Sequence, residues 1–369
     1  MANRGELMLL STRSMRRYMT RVANHLQTFP EFHTEVDVNN FIGSLNTLRF
    51  ADGELEVELR TSIRGKDVFL FGTSGRNDLG LGVDECKIEL HHAVDAIKRA
   101  QPERITLIEP YCSSSRSDRT TRRNSVGFWV HYKTVMSLGV DHIITYQLHS
   151  DKSKTAVDPK LCAIDDVPAA PILQEFITDQ YIRTPDYLED TVQKDWMFCS
   201  VDAGGESVAR QYARAFGTKL IIAHKQRDYE KANTVESINI LSSTDIAGHD
   251  IWIVDDMVDT AGSVYTLVKE LSKREVRSVS VAVIHPVFSE PAIERLTELY
   301  EEGLLSALVV TDTVALDEDT IEALPCLEIV NTTRLSAEII MKMHQERSLS
   351  PFFDPFDIRA YFSSMRLFL

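Results

Sequence analysis

The stretch of sequence that decides the fold is IWIVDDMVDTAGS, residues 251–263. Its first four residues are apolar and rich in β-branched side chains, which predicts a fully buried strand over 251–254. Two carboxylates, Asp255 and Asp256, follow the predicted strand. A turn of small residues comes next, and apolar residues at helical spacing then predict a helix over 263–273. The stretch therefore predicts a strand–turn–helix unit with two acids where the strand ends.

Such a unit directs the first backbone N–H groups of its helix at the turn, and this arrangement binds anions. Asp255 and Asp256 would repel a bare phosphate, but they suit sugar hydroxyls or a divalent cation beside it. The combined interpretation is a phosphorylated sugar, with the phosphate in the turn and the hydroxyls on the acids. The alternative is an ordinary strand–helix unit whose acids cap the helix and face solvent. Capping alone requires neither a tandem acid pair nor a turn of small residues.

Strand-like and helix-like segments alternate along most of the chain. The predicted strands are 67–72, 104–108, 142–147, 197–201, 219–223, 251–254, 279–284 and 307–311, and the predicted helices are 84–100, 127–137, 207–216, 263–273 and 292–299. This alternation is typical of parallel sheets flanked by helices. A passage rich in Pro and Asp over 158–171 predicts the junction between two such units. In folds of this class, ligands lie outside the carboxyl ends of the strands.

The composition restricts the protein class. A chain of 369 residues can bury two cores, and 43% apolar with 26% charged residues is ordinary for a globular protein. No apolar run has the length of a membrane span, and the first residues lack the apolar core of a signal peptide, so a cytoplasmic protein is expected. The net charge of −15 argues against broad nucleic-acid binding. The five cysteines are scattered and odd in number, which predicts reduced, structural thiols.

Polar clusters follow several of the predicted strands. The loop 111–123 carries four arginines and several hydroxyls, which suits a polyphosphate, although a solvated basic loop is the alternative. Asp202 is followed by paired glycines that allow close backbone approach, and His149 follows the strand 142–147 in the same relative place. The charged run 224–231 is either a mobile cationic loop that closes over a transferring phosphate or an exposed charged hairpin.

Together these segments resemble the ribose-phosphate pyrophosphokinase (phosphoribosyl pyrophosphate synthetase) family, from about residue 48 to residue 353. The matching segments are RFADGE (49–54), IRGKDVF (63–69), RSDR (116–119), LHS (148–150), DAGG (202–205), HKQR (224–227), DDMVDTAGS (255–263), SEPAI (289–293) and SLSPFF (348–353). The first eight segments occur in the family's order and form a specific match, the run 255–263 is the most specific of them, and SLSPFF resembles the family's tail.

The resemblance implies an α/β fold with two phosphoribosyltransferase-type domains, each a mostly parallel sheet flanked by helices. The implied domains are 1–165 on the ATP side and 166–335 on the ribose 5-phosphate side, with a C-terminal helix and apolar tail over 336–369 that packs on the body or on a neighbour. The implied enzyme transfers the pyrophosphoryl group of Mg-ATP to the C1 hydroxyl of ribose 5-phosphate, giving phosphoribosyl pyrophosphate and AMP for nucleotide biosynthesis. Mg²⁺ is the implied cofactor, and a dimer-based homo-oligomer, commonly a hexamer, is the implied assembly.

The resemblance also implies a role for individual residues. Ribose 5-phosphate would be held by Asp255, Asp256, Asp259, Thr260, Ala261, Gly262 and Ser263. ATP would be bound by Phe50, Asp52 and Glu54, supplied across a subunit interface, and by Arg116, Ser117 and Asp118. Mg²⁺ would be held by His149 and Asp202, and the catalytic cations would be Lys225 and Arg227.

The sequence departs from the family at Ser117, which stands where members carry an amide that contacts the nucleotide. Two other functions remain open at the level of sequence. A nucleobase phosphoribosyltransferase shares the acid-pair turn but has one such domain and needs no ATP site. A non-catalytic regulatory relative would bind enzyme subunits, but it would be expected to lose the loop cations or metal ligands, and here all are present.

Overall fold

The computed structural model describes residues 5–37, 40–120, 123–202, 204–227 and 235–365. The chain divides into two compact units, and neither is a single continuous segment. The first unit comprises Met1–Pro168, Thr313–Ala315 and Asn331–Phe353, and the second comprises Ala169–Asp312, Leu316–Val330 and Asp354–Leu369.

The described part of the chain forms the following strands and helices. The strands are β1 (Leu7–Ser11), β2 (Leu45–Arg49), β3 (Leu55–Leu59), β4 (Asp67–Phe71), β5 (Arg104–Glu109), β6 (His142–Tyr146), β7 (Ala163–Val167), β8 (Trp196–Ser200), β9 (Lys219–Arg227), β10 (Val235–Ser242), β11 (Asp250–Val258), β12 (Ser278–Pro286), β13 (Ala307–Thr311) and β14 (Leu327–Val330). The α-helices are α1 (Arg16–Leu26), α2 (Phe32–Glu35), α3 (Val83–Arg99), α4 (Gly127–Leu138), α5 (Ala170–Ile177), α6 (Pro185–Tyr187), α7 (Gln193–Asp195), α8 (Glu206–Phe216), α9 (Gly262–Ser272), α10 (Ala292–Glu301), α11 (Glu318–Ala323), α12 (Thr333–His344) and α13 (Ile358–Met365).

The first unit is built on a parallel sheet with the strand order β1-β4-β5-β6-β7. Every residue of β1 and β4 is buried, as expected for a parallel sheet that is covered on both faces. Successive side chains of a strand alternate between these faces. Leu70 therefore joins the core shared with α3 and α4, whereas the ring of Phe71 contacts Tyr18 of α1, with ring centroids 6.1 Å apart. β2 and β3 form a separate antiparallel hairpin.

Helix α12 belongs to the first unit, although most of the second unit precedes it in sequence. The hydroxyl of Tyr18 lies 2.7 Å from the Thr332 hydroxyl and 2.8 Å from the Ser336 hydroxyl. The Nδ1 atom of His344 lies 2.9 Å from Oδ2 of Asp67, which is fully buried. These buried polar contacts hold α12 and the residue before it against α1 and β4.

The second unit is built on a seven-stranded sheet with the strand order β10-β9-β8-β11-β12-β13-β14. β10 is antiparallel to β9, and the other neighbouring pairs are parallel. Strands that follow β8 in sequence lie on both sides of it, β9 on one side and β11 on the other. The strand order therefore reverses between β8 and β11, which is where sheets of this class bind ligands.

The second sheet is covered on both faces. Val264 of α9 and Leu296 of α10 belong to a core with β11 and β12. Phe198 of β8 stacks on Phe216 of α8, with ring centroids 5.3 Å apart. Within the described residues, no helix combines the length and the apolar character needed to cross a membrane.

The structure confirms the predicted α/β fold and the parallel sheets flanked by helices. The five cysteines are all free and buried, as predicted. Two local predictions are wrong. β11 continues to Val258, so Asp255 and Asp256 lie within it, and β9 continues into the predicted loop as far as Arg227. The predicted junction 158–171 contains the boundary between the two units, after Pro168, and it also contains β7. β9 and β11 are longer than the apolar runs from which they were predicted. The hydrogen bonds between neighbouring strands join backbone groups, so they do not require apolar side chains.

Candidate active site

The acid pair lies in the carboxyl-terminal half of β11, which pairs with β12 as far as Val258. Asp256 is buried and Asp255 is partly accessible. The backbone N–H of Asp256 donates a hydrogen bond to Oδ1 of Asp255 over 3.0 Å. Burial raises the pKa of Asp255 well above its usual value, and the neighbouring Asp256 carboxyl raises it further. A ligand that supplies positive charge or hydroxyl donors would therefore be bound favourably here.

The loop after β8 reaches this acid pair across the reversal point of the sheet. Oδ1 of Asp202 accepts hydrogen bonds from the backbone N–H groups of Gly204 (2.8 Å) and Gly205 (3.2 Å). A Cβ atom on Gly205 would lie 3.3 Å from Oδ1 of Asp255, so glycine allows the loop to pack against that carboxyl. Asp202 also contributes to the raised pKa of Asp255. Acidic groups that are 53 residues apart in sequence thus converge on one place.

A tight turn connects β11 to α9. Ala261 has a φ of +56°, in the left-handed region that costs a non-glycine residue about 1–2 kcal/mol. Helix α9 begins at Gly262, and the N–H of Tyr265 donates to the carbonyl of Ala261 over 2.8 Å. The N–H groups before Tyr265 in the first turn have no carbonyl of the helix to bind, so they are available to an anion at the turn. Thr260 is exposed and Ser263 is partly accessible at the same turn.

Arg295 of α10 supports this turn, and the sequence analysis missed it. Its Nη1 atom donates a hydrogen bond to the carbonyl of Thr260 over 2.8 Å. A Cβ atom on Gly262 would lie 3.1 Å from the same nitrogen, so the close approach of the guanidinium depends on glycine. Arg295 comes two residues after the SEPAI segment, which is the only signal that could have drawn attention to it. Asp259 also lies in this turn and is partly accessible.

In the first unit, two predicted site segments follow the neighbouring strands β5 and β6. His149 is exposed just beyond β6. In the loop after β5, Arg116 is exposed, and Oδ2 of Asp118 accepts a hydrogen bond from the Ser153 hydroxyl over 3.4 Å. Because the carboxyl ends of parallel neighbours lie at one sheet edge, the basic loop and His149 share that edge.

Ser117 has a structural contact that explains how the basic loop joins α4. Its hydroxyl accepts a hydrogen bond from the N–H of Gly127 over 2.9 Å, and its carbonyl accepts one from the N–H of Phe128 over 3.1 Å. Ser117 therefore fixes the loop at the first turn of the helix. Thr121 and Arg122 of the predicted basic loop lie outside the described residues.

The predicted adenine-binding residues lie together at the tip of the β2–β3 hairpin. The N–H of Phe50 donates to the carbonyl of Glu54 over 2.9 Å, and the N–H of Glu54 donates to Oδ1 of Asp52 over 3.1 Å. All three side chains are exposed, and Phe50 retains 48% of its accessible surface. An exposed aromatic ring on a turn that also carries two acids is a surface that a planar base can cover.

The predicted catalytic cations lie on β9. Lys225 pairs with Ile238 and Arg227 pairs with Val235 in the antiparallel ladder with β10. The side chains of Lys225 and Arg227, and the whole of residues 228–234, lie outside the described part of the structure. The catalytic role of the two cations therefore stays a prediction.

Two family models match the chain. The model of the N-terminal domain of ribose phosphate pyrophosphokinase matches residues 7–139, and the phosphoribosyl transferase domain matches residues 164–296. Together they span most of the chain. The first model matches the first unit and the second model matches mainly the second unit, in the order expected from the sequence.

Similar proteins carry the same name. Ribose-phosphate pyrophosphokinase 1 of Streptococcus pneumoniae and that of Streptococcus mutans are each 29% identical over 314 residues, which is 85% of this chain and 90% of the relative. The crystal structure of phosphoribosylpyrophosphate synthetase from Mycobacterium smegmatis superposes with a TM-score of 0.76 at 25% identity, covering 92% of this chain and 99% of that one. The chain carries an acid pair and a helix-opening turn at the reversal point of its second sheet, and it belongs to the ribose-phosphate pyrophosphokinase family of enzymes.

Proposed function

We propose that this protein transfers the pyrophosphoryl group of Mg-ATP to the C1 hydroxyl of ribose 5-phosphate, giving phosphoribosyl pyrophosphate and AMP. The observation that carries the proposal is the site at the reversal point of the second sheet. There Asp255 and Asp256 lie beside the turn that opens α9. Phosphate and hydroxyl recognition are thus adjacent, as a sugar phosphate requires.

The sugar site combines two recognition elements. The N–H groups of the first turn of α9, with Thr260 and Ser263, would bind the 5-phosphate, because a helix of eleven residues carries partial positive charge at its start. Asp255 and Asp256 would accept hydrogen bonds from the ribose hydroxyls. Burial favours the protonated form of Asp255, and a hydroxyl or cation partner offsets the cost of ionising it. Asp259 would complete the acidic side of the turn.

The ATP side would be formed by the first unit and its hairpin. Phe50 would stack on adenine, with Asp52 and Glu54 beside it, and this exposed tip suits delivery to a neighbouring subunit. Arg116 and Asp118 would line the triphosphate, since guanidinium groups match phosphate oxygens. The hydroxyl of Ser117 already accepts a hydrogen bond from the N–H of Gly127. Its contacts with the nucleotide would therefore differ from those of the amide side chain that family members carry at this position.

The carboxylate of Asp202 suits Mg²⁺, which prefers oxygen ligands, and the family resemblance implies His149 as the second ligand. The Asp202 carboxyl is oriented by two backbone N–H groups, as metal-ligating carboxylates usually are, and His149 presents an exposed imidazole. Asp202 and His149 would hold the ion, which would neutralise charge on the ATP oxygens. Mg²⁺ keeps most of its coordination sphere for water and phosphate, so one carboxylate and one imidazole suffice.

In the reaction, the C1 oxygen of the sugar forms a bond to the β-phosphorus of ATP while the bond from that phosphorus to the α-phosphate oxygen breaks. The proton of the C1 hydroxyl leaves to solvent, and the electron pair of the broken bond stays on the α-phosphate oxygen of AMP. Phosphoryl chemistry of this kind depends on positioning and charge neutralisation more than on covalent help from the protein. Lys225 and Arg227 would stabilise the negative charge that grows on the departing oxygen.

The decisive experiment is a coupled assay for AMP release from ATP. We expect release to require both ribose 5-phosphate and Mg²⁺, with one phosphoribosyl pyrophosphate formed for each AMP. AMP release without a sugar phosphate, or with any pentose, would contradict the assignment of the sugar site. No release of AMP under any condition would favour a non-catalytic relative. Release of pyrophosphate from added phosphoribosyl pyrophosphate that requires a nucleobase would favour a nucleobase phosphoribosyltransferase.

We further propose that residues 1–165 carry the ATP side, residues 166–335 carry the sugar side, and the tail 336–369 packs on the body or a neighbour. The protein would act in the cytoplasm as a homo-oligomer built from dimers. The measurement for the assembly is the solution mass, expected as an even multiple of the 41.8 kDa chain.

A further inference from the structure

A buried cluster of metal-ligating side chains lies in the first unit, where the sequence analysis assigned no function. Glu109 ends β5, Cys112 lies three residues later, and His131 is on the inner face of α4. Their exposed fractions are 0%, 2% and 2%, respectively. A carboxylate and an imidazole are expensive to bury and usually have a specific partner when they are buried together.

The geometry suits one metal ion. The Nε2 atom of His131 lies 3.2 Å and 3.1 Å from the two carboxylate oxygens of Glu109. One donor atom from each of Glu109, Cys112 and His131 can be chosen so that all lie within 4.8 Å of one another. Tetrahedral zinc with bonds of about 2.0–2.3 Å places its ligands roughly 3.3–3.8 Å apart, so small side-chain adjustments bring the three donors into range.

Unsatisfied polar atoms at the same place are a second, independent observation. Nδ1 of His131 and the hydroxyl of Tyr132 are buried without a hydrogen-bond partner among the described residues. Tyr132 is fully buried, and the centroid of its ring lies 5.1 Å from that of His131. Buried unpaired polar groups are rare in native proteins, and one accepted cause is a site that binds an ion.

A second imidazole lies next to the cluster. The ring of His91 stacks on that of His131 with centroids 5.9 Å apart, and its Nε2 atom is buried without a partner in the described chain.

We propose that Glu109, Cys112 and His131 bind one Zn²⁺ ion, with Tyr132 beside the fourth coordination position. The mixture of thiolate, imidazole and carboxylate selects zinc over magnesium, which prefers oxygen ligands. On binding, the Cys112 sulfur forms a bond to zinc, and its proton is released to solvent. The proposal is independent of the proposed reaction, because none of these residues is assigned to ATP, ribose 5-phosphate or Mg²⁺.

The site would be structural rather than catalytic. Its ligands are buried, so no substrate can reach the ion, whereas a catalytic zinc keeps an accessible position. The ion would link three elements to one another: the end of β5, the beginning of the basic loop 111–123, and α4. Arg116 and Asp118 follow Cys112 by four and six residues, so zinc would also limit the motion of the loop that carries them.

The test uses the full-length protein, stripped of metal and titrated with Co²⁺ in the presence of excess Mg²⁺. A thiolate ligand produces a sulfur-to-cobalt charge-transfer band in the near ultraviolet, which Mg²⁺ does not produce. We expect the band to saturate at one equivalent, to be displaced by Zn²⁺ and to be absent from Cys112→Ser and His131→Gln. The matched control is Cys162→Ser, another buried thiol of the same unit, which should keep the band.

A second measurement protects the test against a variant that fails to fold. In excess Mg²⁺, a zinc-selective chelator should lower the melting temperature of the wild-type protein, and added Zn²⁺ should restore it. Absence of the charge-transfer band in the wild type would overturn the proposal, whatever the variants do. A band that survives in Cys112→Ser, or that is lost in Cys162→Ser, would equally overturn the ligand assignment.

Discussion

Asp255 lies on β11 and is partly accessible, with the carboxyl of Asp256 next to it and Asp202 across the reversal point. The position is unfavourable for an ionised acid, since burial and like charges both oppose ionisation. Proteins tolerate such groups where a ligand compensates for them, and their removal then increases stability while abolishing function.

Asp255→Asn should stabilise the protein and weaken sugar binding. The pKa of the folded-state carboxyl is raised above the usual value of 3.8. Ionising Asp255 therefore destabilises the folded state. This destabilisation is absent below pH 3.8, grows as the pH rises toward the folded-state pKa, and is complete above that pKa. Asparagine cannot ionise, so at neutral pH we expect a melting temperature a few degrees higher, equivalent to about 1–2 kcal/mol.

The measurements for Asp255→Asn are thermal unfolding across pH and calorimetric binding of ribose 5-phosphate. The matched control is Asp250→Asn at the other end of β11, where the carboxylate binds Arg277 (3.1 Å) and the Ser278 hydroxyl (2.7 Å). Asp250→Asn should keep sugar binding and lose a little stability. Intact sugar binding in Asp255→Asn would remove the main support for the sugar site.

Lys225→Ala should reduce turnover by roughly 10²–10³-fold and leave the affinity for ribose 5-phosphate nearly unchanged, because the ammonium group would act on charge that develops in the transition state. Lys219→Ala, at the exposed start of the same strand, is the control and should behave as the wild type. Steady-state kinetics separate the two effects. Turnover unaffected by Lys225→Ala would exclude this residue from catalysis.

At the scale of elements, the connection between β11 and α9 decides where the phosphate would bind. The left-handed conformation of Ala261 turns the chain so that α9 begins at Gly262, and Arg295 of α10 binds the carbonyl of Thr260 from the neighbouring helix. The start of any helix can bind an anion. Here the backbone conformation of Ala261 and the guanidinium of Arg295 hold the start of α9 beside the acid pair.

Substitutions at Ala261 should change stability in opposite directions. Ala261→Gly should stabilise the protein by about 0.5–1 kcal/mol, because glycine adopts a φ of +56° without the Cβ penalty. Ala261→Val should destabilise it by about 1–2 kcal/mol and raise the KM for ribose 5-phosphate, because a branched side chain tolerates this conformation poorly. Denaturant unfolding and steady-state kinetics check both; a more stable valine variant would show that the turn is not strained.

At the scale of the whole molecule, each compact unit uses segments that are distant in sequence. Residues 331–353 belong to the first unit, although they follow most of the second unit in sequence. Within the second unit, the hydroxyl of Tyr361 donates to both carboxylate oxygens of Asp179 over 2.8 Å and 2.9 Å. Neither unit is therefore complete before the last part of the chain has been synthesised.

A fragment of residues 1–168 should fail to fold cooperatively, because it lacks the partners of buried Asp67 and Tyr18 and the helix that covers them. Joining residues 331–353 to this fragment through a flexible linker should restore a cooperative transition. The linked form in which His344 is replaced by Ala should be less stable, by about 1–3 kcal/mol, since Asp67 would lose its partner. Near-ultraviolet circular dichroism and thermal unfolding provide the measurement. Cooperative unfolding of the short fragment alone would contradict the requirement for α12.

The α/β class and most core strands were predictable because a buried parallel strand needs a short apolar run, and such runs are visible locally at 67–72 or 279–284. The exact ends were not. β9 extends over charged residues to Arg227, and β11 extends over its two acids, because pairing with a neighbouring strand stabilises backbone that the side chains would not. β1 was missed since its burial depends on residues far away in the chain, and a helix within 336–369 was expected only from the family resemblance.

By itself, the sequence determined the strand–turn–helix unit at 251–263, the order of the segments that match the family, and the family itself. Local hydrogen bonding and side-chain periodicity act over a few residues, and such information is written directly in the sequence. Only the tertiary structure decided that β8 and β11 are neighbours, which brings the Asp202 loop against Asp255, and that Arg295 supports the turn. Contacts of this kind, like the buried cluster of Glu109 and His131, arise from packing between distant segments, whose energy depends on the whole fold.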